Sequence, residues 1–164
     1  MKTTPMSLRI LLILGFAVLT PYIYGTSTVK NVDSASTSEG IKLAHPEVPR
    51  IPAEKVKRMI EEKADFIIVD TQPPDNYEMW HLPSAVNIPY ISTANPMDRQ
   101  LMLIALPMDK LIVIYCLCEE GTDSARMVLE LIDLGYSKDN IRILEGGLIQ
   151  WDANDYPIIK QETP

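Results

Sequence analysis

Apolar and polar positions follow two periods along most of the chain. Over 53–63, Val56, Met59 and Ile60 recur at helical spacing among charged residues, which predicts an amphipathic helix. Phe66–Asp70 follows as a short apolar run closed by an aspartate, and 85–88 is a second strand candidate. Asn95 and Pro96 supply an N-cap and a first-turn proline for a helix over 97–106, which Pro107 stops. Leu111–Tyr115 is the most apolar β-run. A polar loop separates it from 124–134, where Val128, Leu131 and Ile132 repeat at helical spacing before Gly135. Ile141–Leu144 makes a further strand. Strands apolar on both faces, alternating with helices, predict an α/β domain: a central parallel sheet with helices on both faces, three layers in all. No internal repeat is visible. In such a sheet the working site lies outside the carboxyl ends of the strands, here the tips after Asp70 and Tyr115.

The first 25 residues break this pattern. Lys2 and Arg9 lead into an apolar run over 10–19, interrupted by Thr20 and Pro21 before the small residues Gly25, Thr26 and Ser27. That layout predicts a signal peptide, and hence an exported protein, periplasmic or secreted. The run falls short of the ~20 apolar residues of a spanning helix, so an uncleaved membrane anchor and a buried helix are the weaker alternatives. No cysteine follows it to carry a lipid. Residues 26–45 are rich in Ser and Thr and poor in large apolar side chains, which predicts a linker in which His45 is solvated. The domain is expected over 46–160, with a tail at 161–164.

Composition narrows the function. With 46% hydrophobic and 23% charged residues the 164-residue chain matches an ordinary globular protein, with room for one domain. Fifteen basic against 22 acidic residues give a net charge of −7, the wrong sign for a nucleic-acid partner. Loss of 1–25 would remove Lys2 and Arg9 and no carboxylate, leaving the mature chain more acidic still. Two cysteines and two histidines at these spacings offer no zinc set, no Gly-rich nucleotide loop is present, and no cofactor is implied.

Both cysteines fall in the loop between the central strand and the next helix: Cys116, Leu117, Cys118, Glu119, Glu120, Gly121, Thr122, Asp123, Ser124, Ala125, Arg126. A thiol there faces the free amides of a helix N-terminus, which favour the thiolate, the nucleophilic form. Gly121 permits a tight turn, so that successive amides cradle an anion on the sulfur. The plainer reading of Cys116 is a small buried hydrophobe completing the strand.

These segments resemble the rhodanese family of sulfurtransferases over roughly 50–160. The early signature of that family is matched by Val69-Asp70, the Pro-rich stretch through Tyr77 and Glu78, and His81-Leu82-Pro83-Ser84-Ala85. Its closing signature is matched by Leu144-Glu145-Gly146-Gly147 through Trp151, and by Tyr156-Pro157. Counting the loop from Cys118 gives the family's Cys-x-x-Gly spacing and its Ser-Ala pair, which favours Cys118 as the nucleophile; a register from Cys116 makes the loop two residues longer. The resemblance implies a persulfide on that cysteine, held by the loop from Glu119 to Ser124 and loaded by a small sulfur donor, polysulfide or thiosulfate. The acceptor is a thiol, a protein or another nucleophile. Asp70 is expected to organise the loop, His81 to serve as a structural hydrogen-bonding residue, and Arg126 either to pair with Glu130 or to help bind an anion.

Three departures from the family bear on activity. Glu119, Glu120 and Asp123 are expected to surround the nucleophile, and like charges ~4 Å apart repel by about 4 kcal/mol at an intermediate effective dielectric. Gln72 stands where the family generally has an arginine. Trp80 and Ser84 replace glycines on either side of His81, where a tight turn is expected. Beside a sulfurtransferase, two readings stay open: a Cys-x-Cys thiol–disulfide protein, and an inactive module that binds a partner. A phosphatase of the same fold is disfavoured, because the loop lacks the phosphate-binding arginine at position 123.

Overall fold

The computed structural model describes residues 42–160. The expected leader at 1–25, nearly all of the expected linker and the expected tail at 161–164 lie outside the described residues. Among the described residues no helix is long and apolar enough to cross a membrane.

Five parallel strands form the central sheet in the order β1-β6-β5-β2-β4: β1 (Arg50–Ile51), β2 (Phe66–Asp70), β4 (Ala85–Asn87), β5 (Leu111–Tyr115) and β6 (Ile141–Leu144). A separate antiparallel pair joins β3 (Trp80–His81) to β7 (Ile159–Lys160). The helices are α1 (Ala53–Glu61), α2 (Pro74–Met79), α3 (Pro96–Leu103), α4 (Thr122–Asp133) and α5 (Gly147–Ala153).

Strand alternation divides the core in two. Ile112 and Ile114 of β5 point to one face, where Leu103 of α3 and Met127, Val128 and Leu131 of α4 cover them. Val113 and Tyr115 point to the other, against Val56 of α1 and Leu148 and Trp151 of α5. Both faces of β5 are therefore dry, which is why this strand reads as an unbroken apolar run. The expected three-layer α/β/α architecture is the observed one.

Several boundaries differ from the sequence reading, each for a local reason. α1 ends at Glu61, because Lys63 turns into the left-handed region at φ +52°. α3 begins as expected, with Asn95 Oδ1 accepting from the Met97 amide at 3.1 Å, but stops at Leu103 and not at 106. Leu106 precedes Pro107, which disfavours a helical residue there. The Tyr136 hydroxyl sits 2.7 Å from both the Leu103 and the Leu106 carbonyl and satisfies that end. α4 starts at Thr122, two residues early, because Gly121 takes a left-handed conformation (φ +73°) and turns the chain into the helix. No tight turn forms at Trp80, which is extended and pairs with Lys160, whereas Ser84 does adopt a positive φ of +65°.

Residues 42–45, the end of the expected linker, run against the cysteine loop. The Ala44 amide donates to the Glu120 carbonyl at 3.0 Å, and the Arg50 guanidinium donates to the Ala44 carbonyl at 2.6 Å. His45 is exposed and contacts Glu47.

Candidate active site

β2, β5 and β4 end side by side, with Asp70 in register with Tyr115 on one side and with Asn87 on the other. Asp70 is fully buried. Its Oδ1 accepts from the Gln72 amide at 2.8 Å, and its Oδ2 from Gln72 Nε2 at 3.0 Å and from the Tyr115 hydroxyl. Burial nevertheless dominates and pushes the carboxyl above its usual range. The Tyr115 hydroxyl, itself pushed up by burial and by Asp70, accepts from the Leu82 amide at 3.0 Å. Asp70 thus joins Gln72 and Tyr115 in one buried network behind the strand ends. Gln72, in the arginine position, completes this network, though its buried Oε1 has no partner.

His81 stands apart from the sulfurs. Its Nδ1–H donates to the Tyr77 carbonyl at 2.7 Å, and its ring stacks on Tyr77 with centroids 4.0 Å apart. These contacts tie β3 to α2.

The chain leaves β5 directly into Cys116, which is 4% exposed. Two elements grip the following segment. The first turn of α5 holds its carbonyls: Leu148 N–H donates to the Cys116 carbonyl at 2.9 Å and Ile149 N–H to that of Leu117 at 3.4 Å. The N-terminus of α4 holds its sulfurs. The amides of Thr122 and Gly121 lie close enough to the Cys118 sulfur to favour its thiolate, and Ser124 stands beside the Cys116 sulfur with the same effect there. Ser124 Oγ is fully buried and makes no hydrogen bond among the described residues.

Both cysteines are free, and their sulfurs lie 2.9 Å apart. At that separation they share a proton unequally. Donation from the Cys116 S–H, aided by the two backbone amides, lowers the Cys118 thiol to about 6 against the opposing effects of burial and Asp123. Cys116 moves the opposite way, because its proton is engaged by Cys118 and its surroundings are dry. The pair therefore gives up one proton readily and holds the second tightly.

The sulfurs open into a cavity of about 180 Å³, with Thr71, Gln72, Pro73 and Asn76 on one wall and Cys116, Leu117, Cys118 and Asp123 on the other. The three loop carboxylates do not converge on the nucleophile as the sequence implied. Only Asp123 lines this cavity, and Arg126 approaches it at 3.5 Å. Glu119 lines a different cavity with Glu54 and Glu145, and Glu120 is exposed. In a loop that reverses direction at Gly121, consecutive side chains leave on different sides. Arg126 does not pair with Glu130, which instead receives a two-point ion pair from Arg99 of α3 at 2.6 and 2.8 Å.

Sequence reasoning missed three contributors. Arg50 braces the 44–48 segment under the loop, with its side chain close to Gly121. Asn87 ties down the β2 exit by donating to the carbonyls of Asp70 and Gln72. Tyr115 carries a buried hydroxyl whose only sequence signal was its place beside Asp70 at the strand ends.

Residues 52–154 match the model of the rhodanese-like domain. Among curated proteins the chain is 28% identical over 102 residues to the adenylyltransferase and sulfurtransferase UBA4 of Candida albicans, covering 62% of this chain and 23% of that protein. The chain thus spans about a quarter of that relative's length. Among solved structures it is similar to the rhodanese-like domain of the Alr3790 protein from Anabaena, with 25% identity, a TM-score of 0.56, and coverage of 71% of this chain and 84% of that one. The BH2092 protein of Bacillus halodurans shares the fold at 19% identity, with a TM-score of 0.60 and coverage of 70% and 79%. With the family model spanning most of the chain and the sheet, loop and strand-end network built as described, this chain belongs to the rhodanese-like family.

Proposed function

We propose that the protein is a sulfurtransferase in which Cys118 carries sulfur as a persulfide and passes it to a thiol or other nucleophilic acceptor, small or protein-bound. The observation that carries this reading is the Cys118 sulfur itself. It sits at a cavity, ionises near neutral pH, and faces the Gly121 and Thr122 amides at the start of α4. The sulfurtransferase activity in the name of the Candida relative supports it.

In the first half-reaction the Cys118 thiolate attacks the outer sulfur of the donor and displaces the remainder as an anion. In the second, the acceptor attacks the outer sulfur of the persulfide and restores the thiolate. Splitting one transfer into two displacements is the advantage of a covalent carrier. The fixed amides stabilise negative charge on the sulfur in both, with no reorganisation at the moment of reaction.

The residues lining the cavity include one carboxylate and no cation. A dianion such as thiosulfate gains nothing from these walls, so the donor is read as polysulfide in its protonated, monoanionic form, a neutral sulfane or a protein-bound persulfide. Export through the leader at 1–25 belongs to the same proposal; N-terminal sequencing of the protein recovered from its native cell tests it.

The deciding experiment is intact-mass measurement of the reduced full-length chain after brief exposure to polysulfide or thiosulfate, with Cys118→Ser alongside, followed by cyanide. A one-sulfur adduct that cyanide removes, that polysulfide gives in higher yield, and that is absent in Cys118→Ser is the expected result. Absence of any adduct with either donor would make the domain a binding module that has kept the fold.

A further inference from the structure

The geometry points to a second activity of this loop, resting on the persulfide reading above: Cys116 resolves the Cys118 persulfide, expelling its outer sulfur as hydrosulfide and leaving a Cys116–Cys118 disulfide. Sulfur transfer to an acceptor requires one cysteine. This loop places a second sulfur 2.9 Å from the first, on a residue only 4% exposed.

The step balances without an added oxidant. The persulfide anion on Cys118 and the Cys116 thiol together contain three sulfurs, one proton and one negative charge. As the Cys116 sulfur bonds to the inner sulfur, the bond between inner and outer sulfur breaks, and its electron pair leaves on the outer sulfur. The Cys116 proton goes to that leaving sulfur. The outer sulfur is reduced, the Cys116 sulfur is oxidised, and the products are one disulfide and one hydrosulfide ion. A thiol reductant, monothiol or dithiol, then returns the disulfide to the starting pair.

The surroundings of Cys116 fit an attacking group held in reserve. In the resting pair the Cys118 thiolate occupies the Cys116 proton. Once Cys118 carries sulfur, its inner atom is no longer an anion, and that hold is released. The Ser124 amide and hydroxyl remain beside the Cys116 sulfur, positioned to stabilise the thiolate as it forms. This gives a use to a hydroxyl that is fully buried and has no hydrogen-bond partner among the described residues in the resting pair. Cys116 is 4% exposed and Cys118 half-buried, and both border the same cavity, which gives the departing outer sulfur room.

The two fates of the persulfide then depend on the acceptor. With an acceptor bound in the cavity, sulfur is transferred; without one, Cys116 discharges it as sulfide. The protein would consume sulfane sulfur and thiol and produce sulfide.

The test loads the reduced full-length protein anaerobically with one equivalent of polysulfide, removes excess donor, and follows intact mass and free sulfide over time without added thiol. Wild type is expected to pass from the one-sulfur adduct to a species two hydrogens lighter than the reduced protein, releasing about one sulfide per chain. Cys116→Ser is expected to keep the cyanide-removable adduct at least tenfold longer and release no sulfide; Cys116→Ala serves if the serine proves unstable. If wild type holds its adduct as long as Cys116→Ser, the resolving step is refuted while the persulfide reading stands. If neither protein takes up sulfur, both fall together.

Discussion

Gly147→Ala is the substitution that most directly tests how the cysteine segment is held. Gly147 opens α5 at φ +54°, and a Cβ there would lie 2.5 Å from the Cys116 carbonyl oxygen and 2.7 Å from that of Cys118. Both are backbone atoms, so no side chain can swing aside. A residue with a Cβ in the left-handed region costs about 1–2 kcal/mol. Displacing close-packed backbone adds about 1–3 kcal/mol, and weakening the bond from Leu148 N–H to the Cys116 carbonyl adds about 1 kcal/mol. The sum, about 4 kcal/mol, corresponds to a fall in Tm of roughly 15 °C for a domain of this size. Gly135→Ala is the control. Its φ of +95° lies further from the left-handed basin, yet nothing stands within 4 Å of the added Cβ. If backbone strain alone mattered, Gly135→Ala would be the more damaging change. Chemical denaturation of the two variants should give the opposite order, with Gly147→Ala worse by about 2–3 kcal/mol, accompanied by slower alkylation of Cys118. Equal costs, or a milder effect at Gly147, would refute the idea that α5 clamps the loop.

Three further outcomes follow from the same geometry. Alkylation of Cys118 should stay fast down to about pH 6 and fall tenfold per unit below it; in Cys116→Ala, which lacks the S–H donor, the midpoint should rise toward the ordinary thiol value, and a wild-type midpoint near ~8.5 would contradict the arrangement. Asp70 binds its proton more tightly folded than unfolded, so its contribution to stability is lost as pH rises from the ordinary carboxyl value through the raised native one. Asp70→Asn should remove that slope, which denaturation over a pH series would show as a wild-type-minus-variant difference that becomes less favourable with increasing pH. Arg99→Met should cost about 2 kcal/mol by stranding Glu130, and a double-mutant cycle with Glu130→Gln should show coupling, strict additivity being the adverse result.

What the sequence disclosed, it disclosed through burial. β2, β5 and β6 coincide residue for residue with the runs read from the sequence, because strands covered on both faces are apolar at nearly every position, Asp70 and Arg142 being the exceptions. β1, β3 and β7 are two residues each, too short for any period to register, and α5 hides behind a Gly-Gly pair. The site was legible as a place, since the loop after the central strand and the Asp70 strand end both lie at the carboxyl edge. Side-chain direction within the loop was not, because the turn at Gly121 sends Glu119 and Asp123 into different cavities. Nor was the partner of Glu130 visible: helical spacing proposed Arg126, and a bidentate arginine 31 residues away took it.

The acidity of the chain and the readiness of its thiol to ionise are reconciled by distance. Cys118 meets the Cys116 sulfur in direct contact and the amides of Gly121 and Thr122 close by, whereas Asp123 acts through space and is partly offset by Arg126. Fixed short-range dipoles outweigh a screened charge, so the carboxylates do little to the nucleophile. Their effect falls on whatever approaches it. A donor entering the cavity meets Asp123, whose charge Arg126 offsets only in part, and a dianion meets twice the repulsion of a monoanion. The missing arginine at 72 works in the same direction, since Gln72 spends its donor on Asp70 and offers the cavity no charge. Charge in this loop therefore selects the donor and leaves nucleophilicity to the backbone. Replacing Asp123 by Asn should accordingly narrow the gap between thiosulfate and polysulfide loading while shifting the Cys118 alkylation midpoint only slightly downward.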